Sequence, residues 1–164
     1  MVRNGEKWDN KLYSNMADDR PGLDYIGTHD HSLDARNRVS VPASWRVAGD
    51  EGNYYFAYAH PEGCIAVLPP VMQDELMQKA KTILQSDLQG QALLRKIFGN
   101  GFQFGCDKQG RILLPEALIK HAGIQKGVYL VGLGRNFQIW SDTRFKPEAD
   151  DNLDVLQAMK ALGF

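Results

Sequence analysis

The chain writes one turn twice. Asp34 is followed four residues later by Arg38, then Val39-Ser40-Val41 and Pro42; Asp107 is followed four residues later by Arg111, then Ile112-Leu113-Leu114 and Pro115. Before each Arg stands a residue type that tolerates positive φ, Asn37 in the first copy and Gly110 in the second. An Asp at the head of such a turn accepts hydrogen bonds from backbone N–H groups about two residues on. Positions 34 and 107 stand 73 residues apart. Solenoids use more copies than two. Two copies joined by a connecting segment point instead to an intramolecular pseudo-dimer, because neither unit is large enough to bury its own apolar face.

The elements after each turn follow the same order. Val39 and Val41 alternate with Ser40 as a short strand, and Pro42 opens a helix over 43–48 that Gly49 stops. An aromatic strand over 54–59, a turn at 60–63 and a strand over 64–68 complete the first unit. Helical spacing follows over 71–86, where Met72, Leu76, Ala80 and Ile83 make a stripe suited to the core or a subunit contact. A second helix follows over 88–98. Then Phe102 and Phe104 alternate with Gln103, 112–114 is a strand, and Pro115 opens a helix closing at Gly123. Strands over 128–133 and 137–140 flank a turn. Leu153, Leu156, Met159 and Leu162 space a short amphipathic helix behind an acidic stretch. The fold class is α+β. Residues 1–26 are a polar N-terminal extension whose aromatics (Trp8, Tyr13, Tyr25) leave docking open. The rest divides into a first unit (27–70), connecting helices (71–101), a second unit (102–142) and an acidic tail (143–164).

Composition narrows the class of function. Hydrophobic residues at 43% and charged residues at 24% are ordinary for a soluble globular protein. Apolar runs are too short to span a membrane, and the first residues lack the apolar core of a secretory signal. Cys64 and Cys106 are therefore expected reduced and buried in a cytoplasmic protein. A formal net charge of −1 weighs against a uniformly basic surface but leaves room for a local one. Residues 29–46 carry Arg36, Arg38 and Arg46 against Asp30 and Asp34, while 142–154 holds five acids against Arg144 and Lys146. No nucleophile elbow, phosphate loop or paired catalytic carboxylates appear, so neither an enzyme nor a small-molecule substrate is expected. His29 and His31 would share a strand face but lack further ligands, so no metal or cofactor is expected. His60 and His121 fit a turn and a helix surface. Tyr54 to Tyr58 fit a half-buried strand better than a base-stacking platform.

The turns themselves admit two readings. Asp34–Arg38 and Asp107–Arg111 are ion pairs that stiffen a loop, at about 0–1 kcal/mol each when exposed. Alternatively, the loops present guanidinium groups to phosphate or to a guanine edge. Both hold together if the carboxylate orients the Arg that reads DNA.

The Asp-x-x-x-Arg-[Ile/Val]-x-[Val/Leu]-Pro pattern resembles the looped-hinge-helix signature of AbrB-type swapped-hairpin DNA-binding proteins. Its duplication resembles the two-unit branch of that family over residues 27–142, with GTHDHSLDARNRVSVPASWR in the first copy and DKQGRILLPEALIKHAGI and VYLVGLGRNFQIWS in the second. The resemblance implies two AbrB-like β-α-β units fused in one chain and a closed homo-oligomeric ring. It implies a transcriptional regulator of the cytoplasm and nucleoid, binding repeated double-stranded DNA sites upstream of the division and cell-wall gene cluster that encodes it. It assigns DNA contact to Arg36, Arg38, Lys108 and Arg111, and loop shaping to Asp34, Asn37, Asp107 and Gly110. Three features depart from the family's pattern: the longer extension before Gly27, Arg36-Asn37 where Lys-Gly is usual, and thin local positive charge. A ring would offset the last by multiplicity. The alternative is a ring-forming structural or protein-interaction module without specific DNA binding, consistent with the acidic tail.

Overall fold

Strands of three to six residues are too short to be stable as isolated hairpins, and those flanking the two turns find partners across the copies. The computed structural model describes residues 24–164. Its strands are β1 (Thr28–Ser32), β2 (Arg38–Ser40), β3 (Tyr55–Ala59), β4 (Ile65–Leu68), β5 (Phe102–Phe104), β6 (Arg111–Leu113), β7 (Gly127–Gly132) and β8 (Phe137–Ser141). β2 and β6 form a two-stranded antiparallel ribbon with Val39 opposite Ile112. The other six form an antiparallel sheet in the order β1-β7-β8-β4-β3-β5. Exchanging each first-copy strand for its second-copy counterpart reads this order backwards. The register follows the same exchange. His31 faces Val128 where β1 meets β7, and Phe104 faces Tyr55 where β5 meets β3. Each half of the sheet thus ends in a strand supplied by the other copy.

One core cluster joins these parts. Val39, Val41, Ile112 and Leu114 point inward from the ribbon and its exits, against Ile65, Val67, Val128, Leu130, Phe137 and Ile139 of the sheet. Alternation puts Arg38, Ser40, Arg111 and Leu113 on the outer face of the ribbon. Both cysteines are buried and free, and burial pushes each thiol up to about 12.

The helices are α1 (Pro70–Lys81), α2 (Leu88–Leu94), α3 (Glu116–Ala122) and α4 (Val155–Leu162). α3 ends at Gly123, whose φ of 64° is the left-handed C-terminal cap that glycine supplies. α1 is shorter than its apolar spacing predicts, because the Thr82 hydroxyl donates to the Lys79 carbonyl and closes the last turn. Asp87 then restarts the chain by accepting from the Gly90 amide as the N-cap of α2. No residue of α1 is buried. Its stripe is half-covered rather than core, and Gln73 anchors it by donating to the Tyr54 and Leu68 carbonyls. The expected 43–48 helix is only a 3-10 turn over Ala43–Trp45. Trp45 is drawn into the core against Tyr25 and Phe137, and Arg46 leaves in extended backbone. β3 is not half-buried either: Tyr55, Phe56 and Ala57 are all buried, so Tyr55 offers no stacking face to a base. His121 is no free surface residue; its Nε2 meets the His60 carbonyl at 2.8 Å and ties α3 to the β3–β4 turn.

Of the extension's aromatics, whose docking the sequence leaves open, Tyr25 lies among the described residues and is docked. Tyr25 exchanges two backbone hydrogen bonds with Gly134 and is 1% exposed, so it is core. The Trp45 indole N–H donates to the neighbouring Ile26 carbonyl at 3.3 Å. Trp8 and Tyr13 lie outside the described residues.

Tyr25 and Tyr55 bury their hydroxyls without a hydrogen-bond partner within 3.5 Å, although the two groups sense each other electrostatically and burial raises both pKa values. Removing both hydroxyls removes that desolvation penalty without orphaning a partner. The Tyr25→Phe/Tyr55→Phe double variant is therefore expected to match or exceed wild-type stability by up to about 1 kcal/mol. Tyr25→Ala should cost roughly 3–5 kcal/mol by cavity formation. Urea denaturation of the three proteins checks the ordering.

Candidate nucleic-acid interface

Each turn is built by one carboxylate. Asp34 Oδ1 accepts from the backbone N–H of Arg36 at 2.8 Å and of Arg38 at 2.9 Å, while Oδ2 accepts from Arg38 Nε at 2.7 Å. Asp107 repeats this with the amides of Gln109 and Arg111, both at 2.9 Å, and with Arg111 Nε at 2.9 Å. The chain closes each turn with backbone bonds, Asp34 N–H to Arg38 and Asn37 N–H to Asp34, then Asp107 N–H to Arg111 and Gly110 N–H to Asp107. The turn requires a left-handed residue, and Asn37 at φ 60° and Gly110 at φ 78° supply it.

The ribbon brings the turns together. Val41 N–H donates to Gly110 and Leu114 N–H donates to Asn37, a reciprocal exchange between the copies. Arg111 Nη1 lies 3.8 Å from Asp34 Oδ2, so one guanidinium touches the carboxylate of the opposite turn. Arg38 and Arg111 keep 26% and 28% of their side-chain surface exposed. The side chains of Arg36, two residues past Asp34, and of Lys108, one residue past Asp107, are exposed and make no hydrogen bond or ion pair among the described residues. The residues singled out in the sequence thus divide into two shaped arginines, two open cations and four shaping positions. Backbone N–H donation, above all from Arg38 and Arg111, holds both Asp carboxyls below the usual carboxylate range.

Two contributing residues escaped the motif. Arg46 donates to the Asp50 carboxylate from Nε and Nη2, each at 3.2 Å, and Asp50 is 1% exposed. The Asp50 carbonyl accepts the Cys106 amide just before the second turn. A Cβ built on Gly110 would stand 2.3 Å from Arg46 Nη1. Arg46 therefore lies over the second turn and takes the space a side chain would need. The i, i+4 spacing of Arg46 and Asp50 was visible, but nothing in it indicated contact with Gly110.

The relatives that match most of this antiparallel α+β chain with its two carboxylate-shaped turns are named transcriptional regulators. A Lachnoclostridium phytofermentans Transcriptional regulator MraZ is 30% identical over 80% of this chain and 92% of that protein. The Clostridium tetani protein of the same name is 28% identical over 85% of this chain and 99% of its own length. That of Gluconacetobacter diazotrophicus is 31% identical over 71% and 77%. The MraZ protein family model matches residues 97–153, which include the second turn. The chain belongs to the MraZ family. No helix of the described residues is long and apolar enough to cross a membrane.

Two predictions follow from the turn geometry. Gly110→Asn should destabilise the fold by about 1–3 kcal/mol although Asn suits the backbone. Displacing Arg46 leaves the buried Asp50 carboxylate unpartnered. Asn37→Gly should change stability by less than about 1 kcal/mol. Thermal melts at neutral pH compare them. The depressed Asp34 and Asp107 carboxyls contribute stability that is present above the ordinary Asp range and lost as pH falls through their lower folded-state values. Asp34→Asn/Asp107→Asn should therefore be less stable at neutral pH and show a flatter acid limb when melts are run down to about pH 2.

Proposed function

We propose that this chain is a transcriptional regulator that binds double-stranded DNA through the paired turns, as two AbrB-like units fused into an intramolecular pseudo-dimer. The supporting observation is the juxtaposition of two turns of the same shape, each with an open cation at its tip. In this reading residues 27–70 and 102–142 are the two units, 71–101 connects them and 143–164 is the tail. Arg36 and Lys108 contact phosphates. Arg38 and Arg111 spend Nε on their carboxylates; Arg38 directs its remaining guanidinium N–H groups at phosphate or a guanine edge, while Arg111, whose Nη2 also donates to Gln109 Oε1, offers fewer. A two-stranded ribbon fits the major groove.

Few cations are available per chain, so useful affinity requires several chains on adjacent repeats. A closed ring of copies on repeated sites upstream of the division and cell-wall cluster meets that requirement by effective concentration. Such a protein works in the cytoplasm at the nucleoid. The competing reading is a ring-forming interaction module without specific DNA binding, which the net charge of −1 and the acidic tail favour.

The test is a salt series of binding to the DNA upstream of the chain's own gene. Wild type should lose affinity with a log–log slope of about −2 for each chain engaged through Arg36 and Lys108 alone, steepening to about −4 where Arg38 and Arg111 also meet phosphate. Arg36→Ala and Lys108→Ala should each flatten the slope by about one. Arg38→Ala should lose binding while remaining folded. An Arg36→Ala/Lys108→Ala protein with wild-type affinity and slope would falsify the tip assignment. No shift with upstream DNA at low salt would favour the interaction module.

A further inference from the structure

The two turns share a backbone but not a tip. The residue two places after the shaping Asp is Arg36 in the first turn and Gln109 in the second. Both backbone amides donate to the Asp Oδ1, Arg36 to Asp34 at 2.8 Å and Gln109 to Asp107 at 2.9 Å. Their side chains then part. That of Arg36 makes no hydrogen bond or ion pair among the described residues, whereas Gln109 Oε1 accepts from Arg111 Nη2.

Arg111 is therefore held at more points than Arg38. Asp107 takes its Nε at 2.9 Å, Gln109 takes Nη2, and Asp34 of the opposite turn lies 3.8 Å from Nη1. Arg38 is held at Nε by Asp34 at 2.7 Å. A guanidinium fixed at both Nε and Nη2 keeps little torsional freedom, so its open N–H groups are aimed before any ligand arrives. Gln109 Nε2 keeps both of its donors, which make no hydrogen bond among the described residues.

One lone pair of Gln109 Oε1 is committed to Arg111, so the amide offers mainly donors outward. An uncommitted glutamine pairs with adenine by donating to N7 and accepting from N6. Guanine instead sets two acceptors, O6 and N7, side by side on its major-groove edge. A Gln–Arg pair that presents donors from both members fits guanine better than adenine. Arg36, a lone cation without fixed geometry, fits phosphate.

We propose that Gln109 is a specificity-determining residue of the second turn: it positions Arg111 through Oε1 and reads a neighbouring guanine edge through Nε2. The first turn has no such residue, so the second adds a base preference that the first lacks. The proposal rests on the DNA-binding function proposed above.

The test measures binding of the full chain to duplex DNA from upstream of its own gene, and to a panel in which each base pair of the bound site is replaced in turn. Arg111→Ala locates the base pair that Arg111 reads. Gln109→Ala should lower the preference for guanine over adenine about tenfold at an adjacent pair and weaken it at the Arg111 pair as well. Gln109→Glu still accepts from Arg111 but has no donors. It should keep the preference at the Arg111 pair and lose it at the neighbour. Gln109→Lys supplies donors without an acceptor and should do the reverse. The charge changes shift every panel member alike, so ratios between members remove them. Circular dichroism should be unchanged in all three, since Gln109 is exposed. A folded Gln109→Ala protein with wild-type preference at every base pair overturns the role of Gln109 while DNA binding stands. If the Glu and Lys variants lose the same preferences, the double role is wrong. Wild type that binds no member of the panel overturns the DNA-binding function and the role of Gln109 with it.

Discussion

The pairing of β2 with β6 is the contact on which the rest of the structure turns. Three residues from each copy place two turns side by side, and neither strand could persist alone. Val39 and Ile112 hold the ribbon to the sheet; both are essentially fully buried, each contributing on the order of 1.5–3 kcal/mol. Their burial sets the alternation that leaves Arg38 and Arg111 outward. A slip of one residue would turn both arginines into the core, so register and site chemistry are one constraint.

Within that shared frame the two copies have diverged where packing allowed it. Trp45 in the first copy corresponds to Leu118 in the second; the indole fills a space bounded by Tyr25, His29 and Phe137, while the second copy keeps a seven-residue helix. Asn37 and Gly110 take the same backbone for different surroundings. Asn37 carries a side chain at its turn, whereas Gly110 lies under Arg46. The second turn is thereby tied to a buried carboxylate, and the turns are alike in shape but unlike in support.

The turns were legible because their requirement is local: a carboxylate head, a left-handed residue and an Arg followed by an alternating strand. β2, β6, β7, β8 and the cap at Gly123 follow equally local signals. β1 was harder, since THDHS carries no apolar alternation. It is an edge strand, and its burial pattern shows both faces wet or half-wet. The two-faced burial of β3 was hidden for the opposite reason: Phe56 meets Phe98, which the sequence supplies from a distant helical segment. The length of α1 and the collapse of the first helix to one turn depended on a Thr hydroxyl and on the pull of Trp45. Propensity does not register either. The Arg46 contact with Gly110 spans 64 residues and could not be read from spacing.

The split between shaped and open cations bears on how such a site can discriminate. An arginine whose Nε is fixed by a carboxylate loses little rotamer freedom on binding, so its remaining donors act with defined direction. An open lysine or arginine contributes attraction with little geometry. Arg38 and Arg111 have the first character, Arg36 and Lys108 the second. In the proposed complex sequence preference therefore resides in the inner pair and salt dependence chiefly in the outer pair. The carboxylates that shape the inner pair also subtract charge from the surface, which keeps non-specific attraction low. Pairing turns in one chain, and chains with one another, raises affinity without adding charge to any single turn.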